Sequence, residues 1–425
     1  MFGASLFYFF VTFENWVFNL SATVESAESG RAVCWPYFQE CYKWFFLQGP
    51  AHGWSQNIFY TILFAIMLTV VWSMWRKKWS LAHALVVLLF IWKVLFEFVF
   101  VYNAASPYHY YHLILTAVLL FIPYKEFFMK LCFVFFYFMA VTTKFDETWI
   151  LGTYFTSLQP GLPIFPDSLT ALFTNLVIGM QIIGCWFLIS RNMFLQRTAL
   201  VYFVTFHLYS IVFVWYNYPS ITLPSLLILF GPLYRHTPIP FTRKAIAGWV
   251  VIALVALFQI PPFVVSENRQ LTLEGNRFGM FMFEGNHQCI MEVTTYRWAS
   301  GAVKESNREV PAGKPCNKTY CLVETDVRSE GDYKVTMQRY EGDAAWHRCD
   351  PYVWWSQLHR QCDINVDVDR VAFTFDHSVN GGPFYRMVDV PNICDLSYTT
   401  FQHNEWIKLP PEAPVMGYPV KNTYR

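Results

Sequence analysis

The stretch "AIAGWVVIALVALFQIPPFVVSENRQLTLEG", residues 245–275, changes character in its middle. Up to Val265 it is almost wholly apolar, and at ~1.5 Å per helical residue it is long enough to cross a hydrocarbon layer of ~30 Å. From Ser266 onward charges arrive and the long apolar runs stop. Residues 1–265 carry 14 Lys/Arg and 9 Asp/Glu, whereas 266–425 carry 17 and 21, a rise from about 9% to about 24% charged. The reading is therefore a membrane domain over 1–265 and a separate domain over 266–425.

Upstream, eight more apolar stretches approach the ~20 residues a transmembrane helix needs. With the first they give nine expected spans, at 4–22, 57–75, 81–101, 108–123, 127–143, 168–189, 199–217, 220–234 and 245–265. Pro219 just before the eighth and Pro224 and Pro232 within it leave a broken or re-entrant helix as its alternative, and nine crossings are kept because they put the cysteines on one side. The expected fold class is thus a mainly α integral membrane bundle of about nine transmembrane helices, followed by a β-rich, disulfide-braced extracytoplasmic domain.

Charge sets the expected orientation. With a cytoplasmic N-terminus, the inner loops hold Arg76, Lys77, Lys78, Lys125, Lys130, Arg191, Arg197, Arg235, Arg243 and Lys244, against Arg31, Lys43 and Lys144 outside. The positive-inside rule favours that arrangement and puts the C-terminal domain in a periplasm or lumen, with a bacterial inner membrane as the favoured setting. The opening segment lacks a basic n-region and contains Glu14, so it does not read as a cleavable signal. Cysteine usage agrees: Cys34 and Cys41 fall in the first outer loop, and Cys289, Cys316, Cys321, Cys349, Cys362 and Cys394 in the C-terminal domain. Eight cysteines on an oxidising side imply up to four disulfides, with Cys34 to Cys41 the local pairing. Cys132 and Cys185 lie in spans. A net charge of +1 supplies no basic field for nucleic acid. The bilayer is the first partner, and a peptide or protein substrate or a larger membrane complex the second.

In the C-terminal domain, "DINVDVDRVAFTFDHS" alternates Ile364, Val366 and Val368, then Val371, Phe373 and Phe375, the period of half-buried strands. "CIMEVTTYRW" reads likewise, and "LTLEGNRFGMFMF" reads as a hairpin turning at Gly275-Asn276. One helix is expected near 350–361, with Asp350 as N-cap and Pro351 at its first position. The tail "LPPEAPVMGYP" reads as an extended, proline-rich strap.

Several ionisable residues at membrane depth call for a reason. Lys93 and Glu97 stand at i and i+4, the spacing of a mutually neutralising pair. His207 is either a hydrogen-bonded core residue or a proton carrier. His109 and His112 open the fourth span at metal-ligand spacing, with no third ligand at a fixed distance. His347, Cys349, His359 and Cys362 resemble a zinc set, but an oxidising compartment favours disulfides and no metal is assigned. Lys144, in "AVTTKFDETWILG" (140–152), reads in two ways. It is an end-of-helix lysine reaching for the interface, or an amine in a partly desolvated pocket whose proton affinity is lowered enough for it to act as a base.

The segment "FMAVTTKFDETWILG" resembles the stretch around the catalytic lysine of vitamin K-dependent γ-glutamyl carboxylases and their relatives, the horizontally transferred transmembrane (HTTM) domain family. Lys144 stands where that family has its catalytic base, followed by matches at Asp146, Trp149 and Gly152, while Val141 and Thr143 depart from the pattern. "PYHYYHLILTAVLLF" is similar to a family helix start, with His109 on its histidine and Tyr108 replacing asparagine. "NRFGMFMF" (Arg277, Phe278, Met280, Met282) and "SVNGGPFYRMVDV" (Asn380, Arg386, Asp389) resemble later strands, and "TSLQPGLPIFPD" the loop before a span. The resemblance implies a quinol-dependent carboxylation or oxygenation at the outer membrane face, with Lys144 as base, His109 as a helper and a reduced, vitamin K-type quinone as cofactor. The alternative is a non-catalytic accessory or assembly subunit of a larger membrane complex. A transporter would call for an internal repeat, and none is evident.

Overall fold

The computed structural model describes residues 33–43, 54–100, 107–156, 161–214, 218–276, 279–281, 285–300, 306–309, 321–343 and 349–419. The chain divides into two compact units that each draw on several stretches. One comprises residues 1–145, 173–260 and 277–282, the other 146–172, 261–276 and 283–425.

The first unit is helical. The helices are α1 (Trp54–Trp75), α2 (Trp79–Phe100), α3 (Pro107–Phe121), α4 (Lys125–Ala140), α5 (Asp167–Phe187), α6 (Met193–Val212), α7 (Pro219–Phe230) and α8 (Arg243–Val265), the first turn of α5 and the last turn of α8 being counted with the second unit and α8 consisting of a 3-10 turn and two α-helical segments. α1 and α2 turn back on each other through Lys77 in the left-handed region and bury Leu63, Met67, Val70, Val86 and Leu89 with Leu120 of α3. α4 is the core helix. Phe128, Phe133, Val134 and Phe136 are fully buried, and residues on almost every side of the helix are covered. α8 approaches it through Gly248, where a Cβ would lie 2.3 Å from the Phe128 ring, so only glycine lets the two helices meet there. α5 carries a π-turn at Met180–Gly184, and α7 begins with Pro219 at its first turn and ends at Gly231.

These helices correct the expected nine-span bundle. Among the described residues, two are long and apolar enough to cross a membrane, α5 and α8, with mean hydropathy 1.6 and 2.2. Three further apolar helical stretches of 10–17 residues, Thr61–Trp75, Trp79–Ile91 and Ile221–Phe230, stand among the described residues. The physical reason is visible in α4. A helix that is hydrophobic all round is either lipid-facing or buried in protein, and the sequence pattern is the same for both. The first expected span, 4–22, lies outside the described residues. The orientation deduced from counting nine crossings falls with the count. Two apolar helices together with disulfides mark a membrane or extracellular protein.

The second unit is built on a curled antiparallel sheet of seven strands. These are β1 (His287–Trp298), β2 (Ser306–Glu309), β3 (Cys321–Glu330), β4 (Tyr333–Asp343), β5 (Val368–Val379), β6 (Phe384–Val390) and β7 (Val415–Met416), in the order β2-β3-β4-β1-β5-β6-β7. β1 is central and pairs along its length with β4 and β5, Met291 opposite both Tyr340 and Phe375. The expected alternation appears in β5, where Val371, Phe373 and Phe375 are buried. It starts later than the sequence suggested: Ile364 ends a helix, and Ile364 and Val366 are exposed. That helix, α9 (Pro351–Ile364), is capped by Asp350, whose Oδ1 accepts from the Tyr352 N–H at 2.8 Å. It lays Trp354 on Phe373, with ring centroids 5.9 Å apart.

Disulfides Cys289–Cys349 and Cys362–Cys394 brace the sheet at both ends of α9, and Cys34–Cys41 closes the N-terminal loop as expected. Cys316 and the side chain of Cys321 lie outside the described residues. The hairpin expected at Gly275-Asn276 is not formed there. Leu271 and Thr272 instead close a short helix, Arg269–Thr272, because Asn268 caps it and Leu273 ends it in the left-handed region. The tail supplies β7, an edge strand on β6.

Candidate functional site

Lys144 follows the C-terminus of α4, where the chain leaves the helix in a tight turn closed by the Lys144 N–H on the Val141 carbonyl at 2.8 Å. Helical side chains lean toward the N-terminus. The lysine folds back accordingly: its Nζ donates to the Ala140 carbonyl at 2.5 Å, and the residue is 2% exposed. Thr143, fully buried, donates to the same carbonyl at 3.3 Å. Ala140 is the last residue of α4, so this oxygen belongs to the set that a helix end leaves without an intrahelical partner. The interface-seeking reading of Lys144 is therefore replaced by a sheltered one.

Seven residues before Lys144, two turns and about 10 Å back along the axis, Tyr137 faces a buried polar line. Its hydroxyl meets His207 Nε2 of α6, and His207 Nδ1 lies 3.3 Å from the Thr222 hydroxyl of α7. Tyr218 continues the line to Ser210 at 3.2 Å. Tyr137 also stacks on Phe203 at 4.3 Å. His207 is thus a hydrogen-bonded core residue joining three helices. Its partners were not legible in the sequence, because Tyr137 and Thr222 look like ordinary polar interruptions of apolar runs.

Of the other expected site residues, Lys93, Glu97, His109 and His112 have side chains outside the described residues, and so do His347, Arg277, Phe278 and Met282. Cys349 and Cys362 are spent in disulfides, and His359 lies against Trp355, so the zinc set is not assembled. Among the described residues no three His, Cys, Asp or Glu side chains gather as metal ligands. A second buried lysine, Lys130, is held by Glu126 at 2.8 Å, the Arg235 carbonyl at 2.6 Å and the Tyr234 ring, a structural set.

In the sheet unit, Asp146 caps the turn Glu147–Ile150 through the Thr148 N–H, Trp149 is buried on Tyr154, and Gly152 has φ +75° with its Cα face on the Ala171 backbone. These are positioning roles. Asn380, at φ +53°, accepts the Asn286 N–H at 2.8 Å, while Asn286 donates to the Tyr154 carbonyl at 2.7 Å. Arg386 grips buried Asp376 through two bonds of 2.7 and 2.9 Å, which pushes the guanidinium pKa up. Asp389 is exposed.

The sheet also buries a histidine pair that the sequence reading passed over. His287 and His377 stack with ring centroids 5.2 Å apart. Burial pushes both pKa values down, that of His377 to about 4, and the neighbouring ring adds to the shift on His287. The signal was available, since His377 continues the inward period of Val371, Phe373 and Phe375. Comparison with protein-family models, with curated proteins and with solved structures finds no match to this chain.

Proposed function

We propose that the helical unit is a carboxylase-like module in which Lys144 serves as the base toward an apolar, reduced quinone-type substrate. The observation that carries this reading is a lysine withdrawn from water at the end of α4, with its Nζ on the Ala140 main-chain carbonyl. An amine taken from water loses hydration that favours its charged form, the condition a lysine base needs near neutral pH. The C-terminal part of α4 surrounds this end of the helix with buried aromatic residues, Phe133, Phe136 and Tyr137, an environment from which water is excluded. The motif resemblance around Lys144 supplies the reaction class: proton abstraction from the quinol, reaction with oxygen, and carboxylation of an acidic peptide side chain. The setting that fits is a membrane bordering an oxidising compartment, a bacterial inner membrane with the sheet unit and the Cys34–Cys41 loop on the periplasmic side.

The test is direct. Purified protein supplied with a reduced naphthoquinone, oxygen, labelled bicarbonate and a glutamate-containing peptide should oxidise the quinol, and Lys144→Ala should abolish that oxidation without lowering expression. A variant with wild-type turnover, or a wild-type protein that is inert and co-purifies in fixed ratio with a larger membrane complex, would replace this reading by the accessory-subunit one.

A further inference from the structure

Three connections of the helical unit meet at one end of it: the α3–α4 turn (122–124), the α5–α6 turn (188–192) and the α7–α8 loop (231–242). Hydrogen bonds tie them together. The Thr242 hydroxyl donates to the Tyr124 hydroxyl at 3.1 Å, the Tyr234 hydroxyl to the Ser190 carbonyl at 3.2 Å, and Arg191 Nε to His236 Nε2 at 3.1 Å. Beside them the buried Gln196 of α6 donates to the Phe230 carbonyl at the end of α7, at 2.8 Å.

This end is cationic. Arg191, Arg197, Arg235, Arg243 and Lys244 are exposed, and none of them pairs with a carboxylate among the described residues. Glu126, the one acid on these connections and the helix turns beside them, is committed to Lys130 at 2.8 Å. Like charges gathered without counter-ions repel one another, so their clustering does not stabilise the fold. α8 does not call for them either, because Arg243 and Lys244 stand in its first turn, where the helix dipole disfavours cations.

The same end is also apolar. Leu233, Phe241 and Phe194 are 90, 87 and 76% exposed. Pro232, Pro238 and Pro240 restrict the backbone of the loop that carries Leu233 and Phe241, so holding those side chains outward takes little further chain entropy. A free phosphate or a nucleic acid would use the cations and leave these three side chains in water. The surface of a bilayer uses both: its headgroups take the charges, and the acyl boundary just beneath takes leucine and phenylalanine.

The apolar helices continue from here. α5 reaches this end at Phe187 and α8 leaves it at Arg243, and these are the two helices long and apolar enough to cross a membrane. α8 turns Ile246, Val250, Leu254 and Leu257 outward, so an apolar surface starts where its cations stop.

We infer that this end of the helical unit docks on the anionic phospholipid headgroups of a membrane. The five exposed cations meet the phosphates, and Leu233, Phe241 and Phe194 enter the interface. Each cation near such a surface contributes about a five-fold gain in association, which salt screens beyond a Debye length of ~10 Å at 0.1 M. The inference does not depend on the chemistry of Lys144.

The experiment places the full chain in nanodiscs of phosphatidylcholine with a minor fraction of phosphatidylglycerol, and a spin-labelled form of each lipid reports which is held at the protein surface. At low salt the phosphatidylglycerol label should be preferred several-fold, and high salt should shrink the preference. Arg191→Gln, Arg235→Gln, Arg243→Gln and Lys244→Gln together should remove most of it. Arg191→Lys, Arg235→Lys and Arg243→Lys together should keep it. A nitroxide on Phe241→Cys, with the unsubstituted chain as labelling control, should be relaxed more by oxygen than by a water-soluble nickel chelate, as an interfacial position is. The proposal is overturned by equal retention of the two lipids or by a preference that the four glutamines leave unchanged. It is equally overturned by a nitroxide at 241 as open to the chelate as one in bulk water, the outcome expected if this face binds an acidic protein. Lipid preference and nitroxide depth do not require the glutamine variant, so a poorly folding variant does not shield the idea.

Discussion

Lowering the pH from 7.5 to 4.5 should loosen β1 and β5 well before the carboxylates of the sheet are protonated. His377 is held neutral inside the fold with a pKa near 4, against ~6.5 when unfolded. Between those values the unfolded chain binds a proton that the folded chain refuses, so stability is complete above about pH 6.5 and declines as pH falls toward 4. The distance between ~6.5 and about 4, at ~1.4 kcal/mol per pH unit, corresponds to roughly 3–4 kcal/mol from His377 alone, and His287 acts in the same direction. Hydrogen exchange of β1 and β5 amides, corrected for the intrinsic pH dependence, reads this as a falling opening free energy between pH 6.5 and 5. His377→Asn should be less stable at pH 7.5 but show a flatter slope in that window. A level profile in the wild-type chain, or an equal slope in the variant, would refute the assignment of a buried neutral pair.

Other substitutions test the packing around both sites. Gly248→Ala should cost about 1–3 kcal/mol and lower the thermal midpoint, because its Cβ would meet the Phe128 ring at 2.3 Å; an unchanged midpoint would mean α4 and α8 do not touch there. Replacing Cys362 and Cys394 together by serine opens a bridge across 32 residues and should cost ~3–4 kcal/mol in chain entropy, measured by denaturant titration under oxidising conditions. Asp376→Ala deprives Arg386 of the buried carboxylate that holds it through two bonds and should cost ~3–5 kcal/mol, whereas changing both residues to apolar ones should recover most of it.

What the sequence disclosed follows from the range over which each signal acts. The helix α9 was legible because its cap, Asp350, and its first residue, Pro351, are local and act within one turn. The inward face of β5 was legible for the same reason, since its period is two. The local disulfide Cys34–Cys41 closes over seven residues and left little choice, while Cys289–Cys349 and Cys362–Cys394 depended on how strands and helix stack. The number of membrane crossings failed because the deciding quantity is what surrounds an apolar helix. α4 and α8 have similar apolar runs, yet α4 is encased in protein while α8 leaves Ile246, Val250, Leu254 and Leu257 exposed. The assignment of 146–172 to the sheet-bearing unit was hidden too, because it rests on long-range ties such as Asn286 to the Tyr154 carbonyl.

At Lys144 the resemblance reached the residue but not its environment, and the environment sets a sharper test than deletion. The Ala140 carbonyl accepts a hydrogen bond from an amine and from an ammonium alike, and it stands at a helix C-terminus, where a cation is favoured. A purely structural lysine would therefore be served by any side chain that donates there, and arginine is a donor that does not deprotonate at physiological pH. Lys144→Arg and Lys144→Met then separate the two roles. If the residue is a base, both lose quinol oxidation, and the arginine variant keeps the larger share of the wild-type thermal midpoint. If it only seals the end of α4, the arginine variant retains turnover in proportion to its folded fraction and methionine fails on stability alone. Turnover preserved in Lys144→Arg would remove Lys144 from the chemistry, whatever its burial.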